Sequence, residues 1–151
     1  MKRIHAEITI DAPASAVWKV ITDFEHYHNW NDFTPSITLS NADFSVGSEF
    51  DLDCRLTPRT LLRGEREVIL EIDVDNYRFC MGTSRTRGRP GITSYRWQIC
   101  KPINALQTQF VNFEEFHGWL APLVYFLYAG KLEIAFNNYC RTLKSHVEQF
   151  A

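Results

Sequence analysis

The sequence predicts a single α+β domain in which a curved antiparallel sheet of about seven strands wraps a long C-terminal helix. Apolar and polar residues alternate in the first ten residues and in much of 36–117, which is typical of half-buried strands. Near the C-terminus the apolar spacing changes to three or four residues, which is typical of a helix. The chain has 151 residues, of which 45% are hydrophobic, so it is long enough for one core.

The first third of the chain predicts a strand followed by two helical segments. The strand has four apolar residues on one face: Ile4, Ala6, Ile8 and Ile10. Pro13 suits the first position of the helix that follows. The apolar stripe of that helix comprises Val17, Val20, Ile21 and Phe24. Residues 25–31 are expected to form a short second helix or turn.

Residues 36–117 predict a six-stranded antiparallel meander. One strand has its apolar face at Phe50, Leu52, Cys54 and Leu56. In the next, Val68, Leu70, Ile72 and Val74 alternate with Glu67, Glu71 and Asp73. Further strands are predicted at 77–83, 92–100 and 106–117, and residues 85–91 form a hairpin loop.

The C-terminal segment predicts a long amphipathic helix that covers the sheet. Its apolar stripe consists of Leu132, Phe136, Cys140, Leu143, Val147 and Phe150. The apolar run 119–128 is too short to span a bilayer, and we expect it to form the first turns of the helix, buried on more than one side. Gly130 is expected to kink the helix.

Charge and motif content exclude several classes of function. The formal net charge of −2 and a pI near 6.2 leave no basic excess for nucleic-acid binding. The alternating N-terminal segment is not a signal peptide, so a cytoplasmic protein is expected. The four cysteines lie far apart and predict free thiols, and His26-x-His28 lacks a third ligand, so neither a metal nor an organic cofactor is expected.

Aromatic residues are numerous, with 4 Trp, 6 Tyr and 11 Phe. Large rings fill cores, and they also line cavities for small apolar molecules. A curved sheet around one helix leaves room for such a cavity.

Four stretches resemble the START-like (SRPBCC) superfamily, most closely its polyketide cyclase/dehydrase-like branch. They are Ile10-Asp11-Ala12-Pro13 to Trp18, Asp23-Phe24-Glu25-His26-Tyr27 to Phe33, Phe113-Glu114-Glu115-Phe116-His117-Gly118-Trp119-Leu120-Ala121-Pro122-Leu123, and Phe136-Asn137-Asn138 to Lys144. Asp32 stands where the family segment has proline, and the strand 92–97 lacks the histidine that related members often carry. The resemblance covers nearly the whole chain and implies a helix-grip fold.

The resemblance also implies an internal cavity for a lipid-like or polyketide-like ligand. Separately, we expect a monomer or homodimer without stable membrane insertion. The resemblance does not imply a chemistry, because one fold serves many functions. Two functions follow as expectations: a binding or transport module for a hydrophobic small molecule, or a cyclase or dehydratase that supplies one acid–base group.

Glu114 is the candidate general acid or base. In one register it shares a strand face with Phe110, Asn112 and Phe116, and a carboxyl group there would have a raised pKa. In the other register Glu115 and His117 point inward, and periodicity alone does not separate the two. The family segment favours Glu114 inside.

Tyr95 is the second catalytic candidate, because a phenol can donate a hydrogen bond to a carbonyl or enolate oxygen. The candidate ligand-binding residues are Trp30, Asn31, Phe50, Trp97, Phe110, Asn112, Phe116 and Phe126. Arg85, Arg87 and Arg89 make the loop 85–91 basic, and a solvated hairpin is the simpler interpretation of it than an anion site.

Overall fold

The computed structural model describes residues 2–40, 43–84 and 88–150. The first elements are strand β1 (Lys2–Ile10), helix α1 (Ala14–Thr22) and a 3-10 helix (Phe24–Asn29). The strands that follow are β2 (Ser36–Leu39), β3 (Glu49–Thr57), β4 (Thr60–Asp73), β5 (Arg78–Thr83), β6 (Thr93–Asn104) and β7 (Gln107–His117). Helix α2 (Ala121–Phe150) ends the described chain.

The seven strands form one antiparallel sheet in the order β1-β7-β6-β5-β4-β3-β2. β2 to β7 make the predicted meander, and β1 joins it by pairing with β7. Helix α2 packs against β1, β3 and β7, so the sheet curves around it. This arrangement confirms the predicted α+β helix-grip fold.

The N-terminal helices cover one end of the sheet. Val17 and Ile21 of the predicted stripe are buried together with Ala14, and Val20 of the stripe is half-buried. Pro13 is the N-cap with extended backbone angles and is not the first helical residue. Phe24 begins the 3-10 helix and contacts the rings of Tyr27 and Phe50, so it joins the core after α1 has ended.

The C-terminal half of α2 forms the main helical part of the core. Its buried residues include Phe136, Cys140, Leu143 and Val147, which belong to the predicted stripe. Phe150, the last residue of the helix, is exposed, so its predicted burial is wrong. The spacing of apolar residues along a helix does not show where the sheet that packs against the helix ends.

The N-terminal half of α2 differs from the prediction. Leu123, Phe126 and Leu127 are exposed, and Trp119 before the helix is exposed as well. The apolar run is therefore not buried on several sides. A single helix over one sheet has a partner on one side, and the opposite side of this run has none among the described residues.

Strands β1 and β3 have the predicted inward faces, with Ile4, Ala6 and Ile10 buried in β1 and Phe50, Leu52 and Leu56 in β3. In β4 the pairing with β5 shifts between Ile69 and Glu71, where Leu70 is an extra residue. This bulge exchanges the two faces of β4. Before the bulge, Glu67 and buried Ile69 lie on the inner face in place of the predicted Val68 and Leu70, whereas Ile72 after it packs against the core as predicted. Val74, expected inside, is exposed in the turn that follows the end of β4 at Asp73.

Strand β6 has the opposite register to the one predicted. Arg96, Gln98 and Cys100 point inward and are buried, while Tyr95 and Trp97 lie on the outer face. The error has a physical cause: this inner face is polar, and some of its polar atoms form hydrogen bonds with residues distant in sequence. The Tyr139 hydroxyl donates a 2.6 Å hydrogen bond to Gln98 Oε1, for example.

No helix in the described ranges combines the length and the apolar character that crossing a bilayer requires. The four cysteines are free thiols, as expected from their spacing.

Candidate ligand-binding site

A cavity of about 580 Å³ lies between the inner face of the sheet and the N-terminal half of α2. Its apolar wall comprises Phe33, Leu52, Cys54, Leu56, Leu62, Ile92, Phe116, Leu120, Val124, Tyr128 and Leu132. Exposed Gly64 and Arg89 also line it, so the cavity reaches the surface beside them. This volume lies within the usual range of small-molecule sites.

The helix side of the cavity follows from residue spacing in and just before α2. Leu120, Val124, Tyr128 and Leu132 lie four residues apart and face the cavity together. Gly118 and Gly91, both with positive φ, let the chain turn closely into this helix, since a Cβ on Gly118 would lie 2.3 Å from the Gly91 carbonyl oxygen.

Arg96 is the buried cation of the site. Its Nε donates a 2.8 Å hydrogen bond to Asn112 Oδ1, and its guanidinium lies 4.7 to 5.0 Å from the ring centres of Phe33, Phe136 and Tyr139. These rings hold the guanidinium by cation–π contact and exclude water from it. Its Nη2 has no hydrogen-bond partner among the described residues.

Glu114 is the cross-strand partner of Arg96 in the β6–β7 ladder and lines the cavity. Burial raises the pKa of its carboxyl group, and the Arg96 charge and a hydrogen bond from Ser94 oppose that rise. The predicted register of β7 therefore holds in the structure. On the other face, Glu115 pairs with Arg3, which lowers the pKa of Glu115.

Glu67 of β4 brings a second carboxyl group to the cavity. Burial raises its pKa to about 8, with a further contribution from the Glu114 charge. Its Oε2 is covered by protein and has no hydrogen-bond partner in the described chain. Burial therefore favours the protonated form of Glu67 at neutral pH.

The outer part of the cavity wall carries ion pairs. Arg66 donates two 2.7 Å hydrogen bonds to the Asp51 carboxylate, and Arg89 Nη2 lies 2.9 Å from Glu65 Oε1. Both pairs are accessible to water and contribute little stability. Arg85 and Arg87 of the predicted basic loop lie outside the described residues.

Cys54 also lines the cavity. Burial, together with the nearby Glu67 charge, raises the pKa of its thiol well above the usual value. The thiol therefore stays protonated and behaves as an apolar wall residue, because nucleophilic attack requires a thiolate.

The structure separates the predicted site residues into three groups. Glu114 and Phe116 line the cavity, and Asn112 lies directly behind it as the partner of Arg96. Trp30, Asn31, Phe50 and Phe110 are buried in the core and do not line the cavity. Trp30 packs on Tyr27 and Tyr139, and the Asn31 side chain accepts a hydrogen bond from the Thr34 amide.

Tyr95, Trp97 and Phe126 lie outside the cavity, which corrects their predicted placement. Tyr95 is 38% exposed on the outer face, beside His117 and a separate pocket of about 240 Å³. Trp97 contacts the Arg78 guanidinium on the same face, and Phe126 is 84% exposed on the outer side of α2.

Sequence reasoning missed Arg96 and Glu67. Both occupy positions that simple alternation assigns to the solvent side of their strands. The signal that could have revealed Arg96 was the abundance of aromatic residues in the later strands and in α2, because a buried arginine needs aromatic or carboxylate neighbours. Glu67 had no comparable signal, because the bulge in β4 changes which face of the strand points inward and cannot be recognised from the sequence pattern.

Asp23, Glu25 and His26 lie close together on the surface, with His26 Nδ1 2.8 Å from Asp23 Oδ2. His28 Nδ1 is instead 3.1 Å from the Glu25 carbonyl oxygen. This group lies away from the cavity. The expectation that the protein uses no metal stays a prediction.

Comparison with known proteins adds sequence and fold relationships. A family model described as "Polyketide cyclase / dehydrase and lipid transport" matches residues 1–148. A search of curated protein sequences finds no match.

Several solved structures are similar to this chain in fold. The protein TTHA0849 from Thermus thermophilus has a TM-score of 0.77 and 15% identity, with 98% of each chain covered. Norcoclaurine synthase from Thalictrum flavum has a TM-score of 0.75 and 16% identity, with 99% of this chain and 88% of that chain covered. Zhui aromatase/cyclase from Streptomyces sp. R1128 has a TM-score of 0.74 and 14% identity, with 98% of this chain and 94% of that chain covered.

Proposed function

Because the chain belongs to the polyketide cyclase/dehydrase and lipid transport family, we propose that it binds a hydrophobic small molecule between the sheet and α2. The observation that carries the proposal is the cavity of about 580 Å³, whose wall combines apolar side chains of the sheet and α2 with several charged ones. Moving apolar surface from water into this wall favours binding by roughly 25 cal/mol per Å². The ligand class is lipid-like or polyketide-like.

The cytoplasm is the compartment we propose. Four free thiols in one small domain fit a reducing environment, where disulfides rarely form.

Native mass spectrometry of the purified protein, followed by solvent extraction and titration with a panel of apolar molecules, tests the proposed binding. We expect complexes with one ligand per chain. The proposal fails if neither a retained nor an added apolar molecule forms such a complex.

A second candidate function is that of a cyclase or dehydratase, and the observation that favours it is the Glu114–Arg96 pair in the cavity. Two of the neighbours in fold, a synthase and an aromatase/cyclase, carry the names of enzymes. The Glu114 carboxylate would accept a proton from the carbon next to a substrate carbonyl. The proton would then pass to a β-hydroxyl group, which leaves as water while a carbon–carbon double bond forms.

Catalysis of this kind draws much of its acceleration from holding one reactive conformer, so few polar groups are needed. No role remains for Tyr95 in this scheme, because its phenol lies on the outer face of the sheet.

Glu114→Gln distinguishes the two functions, because glutamine keeps the shape and hydrogen-bonding capacity of the side chain and removes its acid–base capacity. For an enzyme, dehydration of a β-hydroxyketone substrate should fall by about 10²–10⁴-fold. Tyr95→Phe should leave the rate unchanged. An equal rate in Glu114→Gln and the wild type would remove Glu114 from the mechanism.

A further inference from the structure

The N-terminal half of α2 carries an apolar stripe on the side of the helix that faces away from the sheet. We call Leu123, Phe126, Leu127 and Ile134 the outer stripe, and all four side chains are exposed. Helical spacing places them on one face, and exposed Trp119 lies at the N-terminal end of that face. The sheet covers the opposite face of the same segment. An α-helix that is apolar on both faces is normally buried on both.

The exposed area of the outer stripe is large for a single chain. Together with Trp119 it amounts to roughly 650 Å², above the roughly 300–600 Å² of the largest apolar patch on a typical monomer. A standard protein interface buries roughly 800 Å² on each partner. The size of the stripe therefore fits one protein–protein contact.

Gly130 lies within the outer stripe and leaves a dent in its surface. The residue is exposed, and a Cβ at this position would meet no atom within 4 Å. Its φ is not positive, so the backbone does not require a glycine either. Glycine weakens the interior of a helix relative to alanine. Its value at this position lies in letting another surface approach the helix closely, which lipid tails do not need.

We propose that the outer stripe is the interface between two copies of this chain, which pair antiparallel through α2. Phe126 and Gly130 lie four residues apart on the same face, a rise of about 6 Å along the helix. In a two-fold interface, residue i of one copy contacts residue j of the other, and j contacts i. With the axis level with Tyr128, the ring of Phe126 in each copy packs into the dent at Gly130 of the other.

The charges beside the outer stripe favour a protein partner over a membrane surface. Lys131 and Glu133 are exposed, flank the stripe on opposite sides and carry opposite charges. Helices that lie on membranes are instead rich in Lys and Arg on their polar face. The whole chain has a net charge of −2, which gives no general attraction to anionic lipids.

Pairing through the outer stripe is independent of the proposed ligand binding. The residues of α2, and the one just before it, that line the cavity lie on a different side of the helix and stay available to a ligand: Leu120, Val124, Tyr128 and Leu132. Failure of one proposal therefore leaves the other standing.

Analytical ultracentrifugation of the full chain over a range of concentrations tests the pairing. We expect one monomer–dimer equilibrium with a dissociation constant of about 1–100 µM and no larger species, because a two-fold contact closes on itself. In dilute solution the chain is then a monomer, and stability measured there does not depend on pairing. A wild type that stays monomeric at about 500 µM, or that forms a series of larger oligomers, overturns the inference.

Phe126→Ala removes the ring that fills the dent. It should raise the dissociation constant of the dimer at least about tenfold, since aromatic residues at the centre of an interface contribute most to binding. Phe150→Ala is the matched control, because it truncates another exposed ring at the far end of α2 and should leave the constant unchanged. Equal constants for the two variants would count against the proposed interface.

Gly130→Gln fills the dent with a side chain that suits a helix. The single chain should fold normally, because a Cβ there has open space around it, and dimerisation should weaken at least about tenfold. Ser145→Gln alters an exposed position in the C-terminal half of α2 and should have no effect on dimerisation. Unchanged dimerisation in Gly130→Gln would show that nothing packs on this glycine.

The double variant Phe126→Ala/Gly130→Gln tests whether these two residues contact each other across the interface. Once the ring is absent, Gly130→Gln should weaken dimerisation by less than about threefold, because the effects of residues in contact are not additive. Full additivity would contradict the proposed packing of Phe126 against Gly130.

Flotation with vesicles of phosphatidylcholine and phosphatidylserine examines the alternative occupant. The wild type should not float with either lipid mixture. If it is monomeric and floats, and Phe126→Ala does not, the outer stripe binds membranes and the inference is overturned.

Discussion

Glu67 carries a buried carboxyl group whose Oε2 is covered by protein and has no hydrogen-bond partner among the described residues. Its pKa rises from the ordinary value of 4.5 to about 8 in the folded protein. The unfolded chain therefore loses this proton at lower pH than the folded chain does. Stability due to Glu67 is fully present below pH 4.5 and is lost as pH rises through about 8.

We predict that Glu67→Gln is more stable than the wild type at pH 8 and that its advantage shrinks toward pH 4.5. The free-energy difference should grow by up to about 1.4 kcal/mol per pH unit within this window. Urea unfolding at a series of pH values measures it. Glu133→Gln, which alters an exposed acid on α2, controls for the loss of one charge.

Acids with a lowered pKa do not obscure this effect. Asp73, Glu115 and Glu148 all have pKa values below their ordinary ones, so their stability contributions disappear at more acidic pH. A constant difference between Glu67→Gln and the wild type across the window would show that Glu67 is hydrated and ionised.

The hydrogen bond from the Tyr139 hydroxyl to Gln98 Oε1 joins α2 to β6 inside the core. Tyr139→Phe should lower the free energy of unfolding by about 1–3 kcal/mol, because it leaves the buried amide oxygen without this donor. Tyr95→Phe removes an exposed hydroxyl and should change stability by less than about 0.5 kcal/mol. Equal effects in denaturant unfolding would contradict the assigned faces of β6.

At the scale of elements, α2 has two halves with different surroundings. The side chain of Phe136 in the C-terminal half is fully buried, whereas that of Phe126, ten residues earlier, is 84% exposed. Phe136→Ala should destabilise the protein by about 3–5 kcal/mol, and Phe126→Ala should change stability by less than about 0.5 kcal/mol. Thermal and urea unfolding of this matched pair checks the docking of the helix, and similar losses in both variants would count against it.

The strands show why some elements could be predicted and others could not. β1 and β3 follow strict alternation, so their inward faces could be read from apolar residues such as Ile10 and Phe50. In β6, Arg96 and Gln98 are buried and form hydrogen bonds with residues of β7 and α2. Those partners are distant in sequence, and no local pattern encodes them.

The bulge in β4 and the exposed face of α2 are further features that periodicity does not reveal. One extra residue at Leu70 exchanges the faces of β4 and thereby brings Glu67 to the cavity. In α2, the apolar run around Leu123 and Phe126 has the composition of a buried helix, yet burial also depends on a neighbouring element to cover it.

At the scale of the whole molecule, element order and a few family-like stretches were sufficient to predict the helix-grip fold, and the family match over residues 1–148 agrees with it. The candidate site was predicted in part. Glu114 was located because the family-like segment fixed its register, whereas Arg96 and Glu67 depend on packing between strands.

The central claim is that the cavity holds a hydrophobic molecule, and titration with the neutral dye Nile red tests it most directly. Val124→Trp places an indole ring inside the cavity, while Leu123→Trp places the same ring on the outer side of the same helix turn. Circular dichroism confirms that both variants fold.

Our account predicts that the wild type and Leu123→Trp bind one dye per chain with similar affinity. Binding by Val124→Trp should be at least about tenfold weaker, equivalent to about 1.4 kcal/mol or more. If all three proteins bind Nile red equally well, the dye does not enter the cavity, and the cavity is not the binding site.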